Sequence, residues 1–118
     1  MMALPIELRE GIIECRRCQD ACLDTVTHAL RRGGRYAEED VVGPLLDATD
    51  VCRTSIDFLR RGSPLRTRTS GVCAEICEAA AEVCEAFADD AVMRACAQAC
   101  RRCAAACRAI AADGWLAA

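Results

Sequence analysis

Apolar side chains return every three or four residues through four stretches of the chain. The first carries Leu8, Cys15, Cys18, Cys22 and Val26, and the second Leu45, Ala48, Cys52, Ile56 and Leu59. The third carries Cys73, Cys77, Ala80, Cys84 and Phe87, and the fourth Met93, Cys96, Cys100, Cys103 and Cys107. This spacing keeps side chains on one face of an α-helix. The predicted helices cover about residues 5–31, 44–61, 64–88 and 90–112. Gly33-Gly34 stops the first, and the charged segment Arg35 to Val42 has room for a turn of helix. Pro44 suits the first helical position of the second helix, which ends at Gly62. Ser63-Pro64 reads as an N-cap and first turn for the third, with Gly71 a weak spot inside it. Asp89 and Asp90 can cap the fourth, which stops before Gly114. Four helices joined by short turns predict an all-α fold, an antiparallel up-down four-helix bundle. The 118 residues suit one domain spanning 1–118.

Composition agrees with close helix packing. Hydrophobic residues make up 53% of the chain but aromatic residues only 3%, so alanine and cysteine supply most of the apolar content. The net charge is −3, every basic residue is Arg, and signs are mixed along the chain. No basic block exists to bind nucleic acid. No apolar run approaches the length of a membrane span. Glu7, Arg9 and Glu10 interrupt the start where a signal peptide needs continuous apolar residues, so a cytoplasmic protein is expected.

Cysteine changes the picture most. There are 11 in 118 residues, an odd number, in a chain expected to stay in a reducing compartment. Cys15, Cys18 and Cys22 fall within an arc of about 60° on their helix, as do Cys96, Cys100, Cys103 and Cys107. Cys73, Cys77 and Cys84 fall within about 40°. Each stripe runs on into apolar positions, so the Cys face is the core face and the bundle is predicted to have a Cys-lined core. The second helix contributes only Cys52. Cys15-Arg-Arg-Cys18-Gln-Asp-Ala-Cys22 and Cys100-Arg-Arg-Cys103-Ala-Ala-Ala-Cys107 match at six of eight positions, an internal echo of one pattern on two helices.

Buried free cysteine can be simple packing, but Ala, Val or Leu would fill ten aligned positions without the oxidation hazard. Disulfides suit the pattern poorly, because neighbours within one stripe leave the same helix face. Thiolates are soft ligands for Cu(I), Zn and iron–sulfur clusters. Zinc and iron–sulfur sites gather four ligands at one point, usually on turns. Here the ligands lie along straight helices. Cu(I) accepts fewer thiolates, and long stripes then make a string of sites. The spacing points to a metal-lined bundle and favours Cu(I), several per chain. A Zn or other soft-metal buffer, or a thiol redox sensor, stays open on the same scaffold.

Met93 lies one turn before Cys96, as a gap filler or a soft ligand at the end of the column. His28, the single histidine, falls on roughly the opposite face from the first stripe, which makes a metal role inside the bundle unlike its placement. No nucleophile–base pair, phosphate loop or haem motif is visible, so no enzyme is expected.

Cys96-Ala-Gln-Ala-Cys100-Arg-Arg-Cys103-Ala-Ala-Ala-Cys107-Arg resembles the fourth helix of the bacterial copper storage proteins. Arg61-Gly62-Ser63-Pro64, Cys73-Ala-Glu-Ile-Cys77-Glu-Ala and Leu46-Asp47-Ala48 with Val51-Cys52 are similar to its second turn, third helix and second helix. The resemblance covers about Gly11 to Ala112. It implies a non-enzymatic bundle that stores many Cu(I) ions through thiolates, here Cys15, Cys18, Cys22, Cys52, Cys73, Cys77, Cys84, Cys96, Cys100, Cys103 and Cys107. Without a signal peptide it implies the cytosolic type, a homo-oligomer and by family a tetramer. Ala48 and Ala80 stand where the family commonly has Cys, and Phe87 and Val92 where it often has His at the bundle end. The copper load implied is therefore smaller than usual.

Overall fold

The computed structural model describes the backbone of residues 4–117 and the side chains of residues 4–113. Helix α1 spans Ile6–Arg32, α2 spans Glu39–Arg60, α3 spans Arg66–Glu85 and α4 spans Ala91–Ala117. A short 3-10 turn, Gly34–Ala37, bridges α1 and α2. Each helix runs antiparallel to the one before it. α1 packs on α2 and α4, and α3 packs on α2 and α4, which closes the four into an up-down ring. No strand occurs among the described residues.

The ends of α1 follow the expected signals. Gly33 (φ 69°) and Gly34 (φ 56°) adopt left-handed backbone, which a side chain would strain, and this turns the chain out of α1. Four boundaries differ from the sequence-based expectation. α2 begins at Glu39, so Pro44 lies inside it and not at its first position. The backbone N–H groups of Val41 and Val42 both donate to the Glu38 carbonyl at 3.0 Å, and Glu39 and Asp40 place acid in the first turn. Val41 is fully buried and extends the stripe of Leu45, Ala48 and Cys52 by one turn. That burial outweighs the single hydrogen bond Pro44 cannot donate to the exposed Asp40.

α3 begins at Arg66, after Ser63-Pro64. Ser63 forms a turn before the helix, its Oγ accepting from the Leu65 N–H at 3.1 Å and its carbonyl from the Arg66 N–H at 3.0 Å. α3 stops at Glu85, where a tight turn takes over: the Phe87 N–H donates to the Cys84 carbonyl and the Asp90 N–H to the Phe87 carbonyl. Asp90 does cap α4, accepting from the Val92 and Met93 N–H groups at 2.9 and 3.2 Å. α4 continues past residue 112 to Ala117.

The core is layered along the bundle axis. At the end where α1 begins, Leu8, Ile12, Ile56, Leu59 and Ile110 are buried. Gly11 lets these meet: a Cβ there would lie 2.7 Å from Ile110 Cδ1 and 3.2 Å from Leu59 Cδ1. At the opposite end Val26, Ala29, Val41, Leu45 and Met93 close the core. The cysteines occupy the length between.

Candidate metal centre

All 11 cysteines are free and buried, none more than 1% exposed. The three-and-four spacing of each stripe puts its sulfurs in line, and the antiparallel packing interleaves the four lines on the axis. Cys107 Sγ lies 3.8 Å from Cys15, which lies 3.7 Å from Cys103. Cys103 is 3.8 Å from both Cys52 and Cys77, which are themselves 3.8 Å apart. Cys73 touches Cys52 and Cys77 at 4.0 Å each. Cys18 continues the file at 3.7 Å from Cys77 and from Cys100. Cys22 is 3.4 Å from Cys100 and 3.8 Å from Cys96. Cys84 adjoins Cys96 at the end.

Ten of the sulfurs thus form one unbroken file in van der Waals contact, with Cys84 beside its Cys96 end. Three groups are tight enough for their sulfurs to share one ion, all within 4.8 Å of one another: Cys15, Cys52, Cys73 and Cys103; Cys18, Cys52, Cys77 and Cys103; and Cys18, Cys22 and Cys100. Among the described residues the only other buried polar side chains are Thr25, Thr49, Ser55 and Ser70, so no charged side chain enters the core. Thr25 stands beside Cys96.

The thiols influence one another's ionisation. Contacts with Cys103 and then Cys107 bring the Cys15 thiol down to about 6. Cys18, Cys73 and Cys96 are also lowered, chiefly by Cys100, Cys103 and Cys100 in turn. Cys84 and Cys100 are raised, chiefly by Cys96 and Cys18, and burial adds to the rise. A thiolate among thiols gains S–H donors, whereas the next thiolate meets like charge in a medium of low dielectric. The column ionises fully only when cations replace the protons.

Met93 is fully buried one turn beyond Cys96, at the end of the file. His28 is outside the column, as its face predicts. Its Nε2 pairs with Asp90 Oδ2 at 2.8 Å, and the Tyr36 hydroxyl donates to the same oxygen at 3.0 Å. Arg32 stacks 4.7 Å over the Tyr36 ring, which packs 4.3 Å from Phe87. This latch ties α1, the 3-10 turn and the start of α4 across the Met93 end. Sequence reasoning found Asp90 as a cap but missed the latch, because its members lie 62 and 54 residues apart and follow no local spacing.

The sequence matches the family described as copper storage protein over residues 6–112. No curated protein matches it. Among solved structures, the Nmul_A1745 protein of Nitrosospira multiformis is 37% identical with a TM-score of 0.83, covering 90% of this chain and 95% of that one. The Cu(I)-bound copper storage protein BsCsp3 is 28% identical with a TM-score of 0.83, covering 89% and 98%. The apo form of copper storage protein 3 from Bacillus subtilis is 28% identical with a TM-score of 0.79, covering 87% and 97%. With the match extending over nearly all of α1 to α4 and a file of buried thiols along the axis, the chain belongs to the copper storage protein family.

Proposed function

We propose that this protein stores several Cu(I) ions in the cytosol without catalysing a reaction. The ligands are the thiolates of Cys15, Cys18, Cys22, Cys52, Cys73, Cys77, Cys84, Cys96, Cys100, Cys103 and Cys107. One observation carries the reading: 11 buried free thiols gathered along the axis, sealed from solvent, with no charged side chain among the described core residues. A soft monovalent ion suits such a lining, and sulfurs in contact let ions pass along it without meeting water. The Cu(I)-bound relative of similar fold supports the choice of metal.

The storage reading requires many ions per chain. Anaerobic titration of the reduced apo protein with Cu(I), against a chromophoric chelator, is expected to show several tightly held ions. One ion or none would refute it. No helix among the described residues is long and apolar enough to cross a membrane, which is consistent with a cytosolic site of storage. The homo-oligomer, a tetramer, is supported by large apolar side chains left exposed on α1 and α2, including Leu23 (49%), Leu30 (57%) and Leu46 (43%). Light scattering on the purified protein tests it, and a monomeric mass would refute it.

A further inference from the structure

Zinc sites usually draw their four ligands from turns, and straight helices look unsuited to that. In this fold Cys18, Cys52, Cys77 and Cys103 come one from each of α1, α2, α3 and α4 and meet at one point. Four of their six sulfur pairs are in contact and the other two are close, so the four sulfurs enclose a tetrahedral hole. For a Zn–S bond of about 2.3 Å, the edges of the sulfur tetrahedron are about 3.8 Å. The edges here are 3.7 Å for Cys18–Cys77 and 3.8 Å for Cys52–Cys77, Cys52–Cys103 and Cys77–Cys103. The remaining two are within 4.8 Å.

We propose that, when copper is absent, the protein binds one tetrahedral divalent ion of the zinc–cadmium class at Cys18, Cys52, Cys77 and Cys103. The site uses four of the thiols that also serve Cu(I) loading, but the inference does not depend on that reading. Cu(I), with its preference for fewer sulfurs, uses edges and faces of the file, whereas the zinc-class ion occupies the hole. Three features limit the number to one. The neighbouring set of Cys15, Cys52, Cys73 and Cys103 shares two of the same sulfurs, so both holes cannot fill together. That set is also less closely joined: contacts of 4.0 Å or less link Cys15–Cys103, Cys52–Cys103 and Cys52–Cys73, one pair fewer than in the first set. The core also holds no cationic side chain to balance a second anionic centre. On binding, the thiols that ionise lose their protons to solvent and the ion takes their lone pairs; no redox step is involved.

Cadmium chloride is the probe, added anaerobically to the full reduced apo chain, with zinc chloride competing in a second titration. The thiolate-to-cadmium absorption is expected to saturate at one ion per chain and to collapse when Zn(II) or excess Cu(I) is added. C77A is expected to abolish the saturable signal, whereas C73A, one turn away on α3, keeps it. Helical circular dichroism of both variants confirms that they fold. No saturable band, saturation at two or more ions, or equal behaviour of C77A and C73A would overturn the proposal. Cu(I) titration of the same samples separates the two readings: normal copper loading with no cadmium site sinks this inference alone.

Discussion

The latch at the Met93 end offers the sharpest test of how the bundle is held shut. Asp90 is only 8% exposed and performs two tasks with its two oxygens. Oδ1 caps α4 through Val92 and Met93, and Oδ2 accepts from His28 and Tyr36. Replacing a good N-cap by Ala costs about 1 kcal/mol. Losing the shared acceptor adds about 1–2 kcal/mol, at the low end because His28 and Tyr36 are half-buried and water can replace part of it. At about 2.1 cal/mol/K per residue, 1 kcal/mol shifts the melting temperature of a chain this size by about 4 °C. D90A is therefore expected to melt about 8–12 °C below wild type in the apo form. D90N keeps a capping oxygen and loses the charge, so its drop is expected to be about half as large. The His28 contact, backbone N–H groups and Tyr36 hold the Asp90 carboxyl well below the usual carboxylate range. A depressed value stabilises the fold above about pH 4 and loses that contribution as pH falls towards the folded value. The advantage of wild type over D90N should be full at neutral pH and shrink on acidification below about pH 4. Thermal unfolding followed by circular dichroism under reducing, anaerobic conditions measures each value. D90A melting with wild type, or a wild-type advantage over D90N that persists unchanged into strong acid, would refute the reasoning.

Two further outcomes follow from the layering of the core. Cys103 touches Cys15, Cys52 and Cys77, whereas Cys84 adjoins only the end of the file at Cys96; in anaerobic Cu(I) titrations C103A is expected to lose more than one ion per chain and C84A at most one, and equal losses would contradict shared ligation. At the opposite end, G11A gains up to about 1 kcal/mol of helix propensity but presses on Ile110 and Leu59, and overpacking of that kind costs about 1–3 kcal/mol. A lower apo melting temperature with unchanged copper capacity is expected, and a variant as stable as wild type would show that this end has room to spare.

Much of this was legible because it is local. A cysteine every three or four residues fixes a helix face whatever that helix packs on, so all three stripes and the buried position of Cys52 could be read from spacing. His28 could be placed off the column by the same geometry. Cross-helix register leaves no such trace. That Cys52 and Cys103 each serve two groups of four sulfurs depends on how α2 and α4 slide against α1 and α3, which no single-helix pattern encodes. The same gap hid the convergence of four sulfurs at one point, since each of the four helices supplies one of them. Pro44 misplaced the start of α2 for another reason. A local breaker signal was weighed without Val41, whose burial pulls the helix back by a turn and a half.

Charge explains why this lining suits a monovalent ion in quantity. A thiol is neutral, and so is a thiolate bearing Cu(I), so each exchange of a proton for a copper ion leaves the buried column with the charge it had. The ion pairs that decorate the bundle, such as Arg101–Glu85 and Arg108–Glu78, lie towards the solvent, which screens them from the axis. Nothing inside the described core can balance an accumulating charge, and burying an unpaired one costs several kcal/mol. Repeated divalent tetrathiolate centres would build up negative charge with each ion added and stop early. Cu(I) meets no such limit until the sulfurs run out. The capacity of the column is then set by its sulfurs and how they are shared, and each copper bound to a protonated site should release one proton.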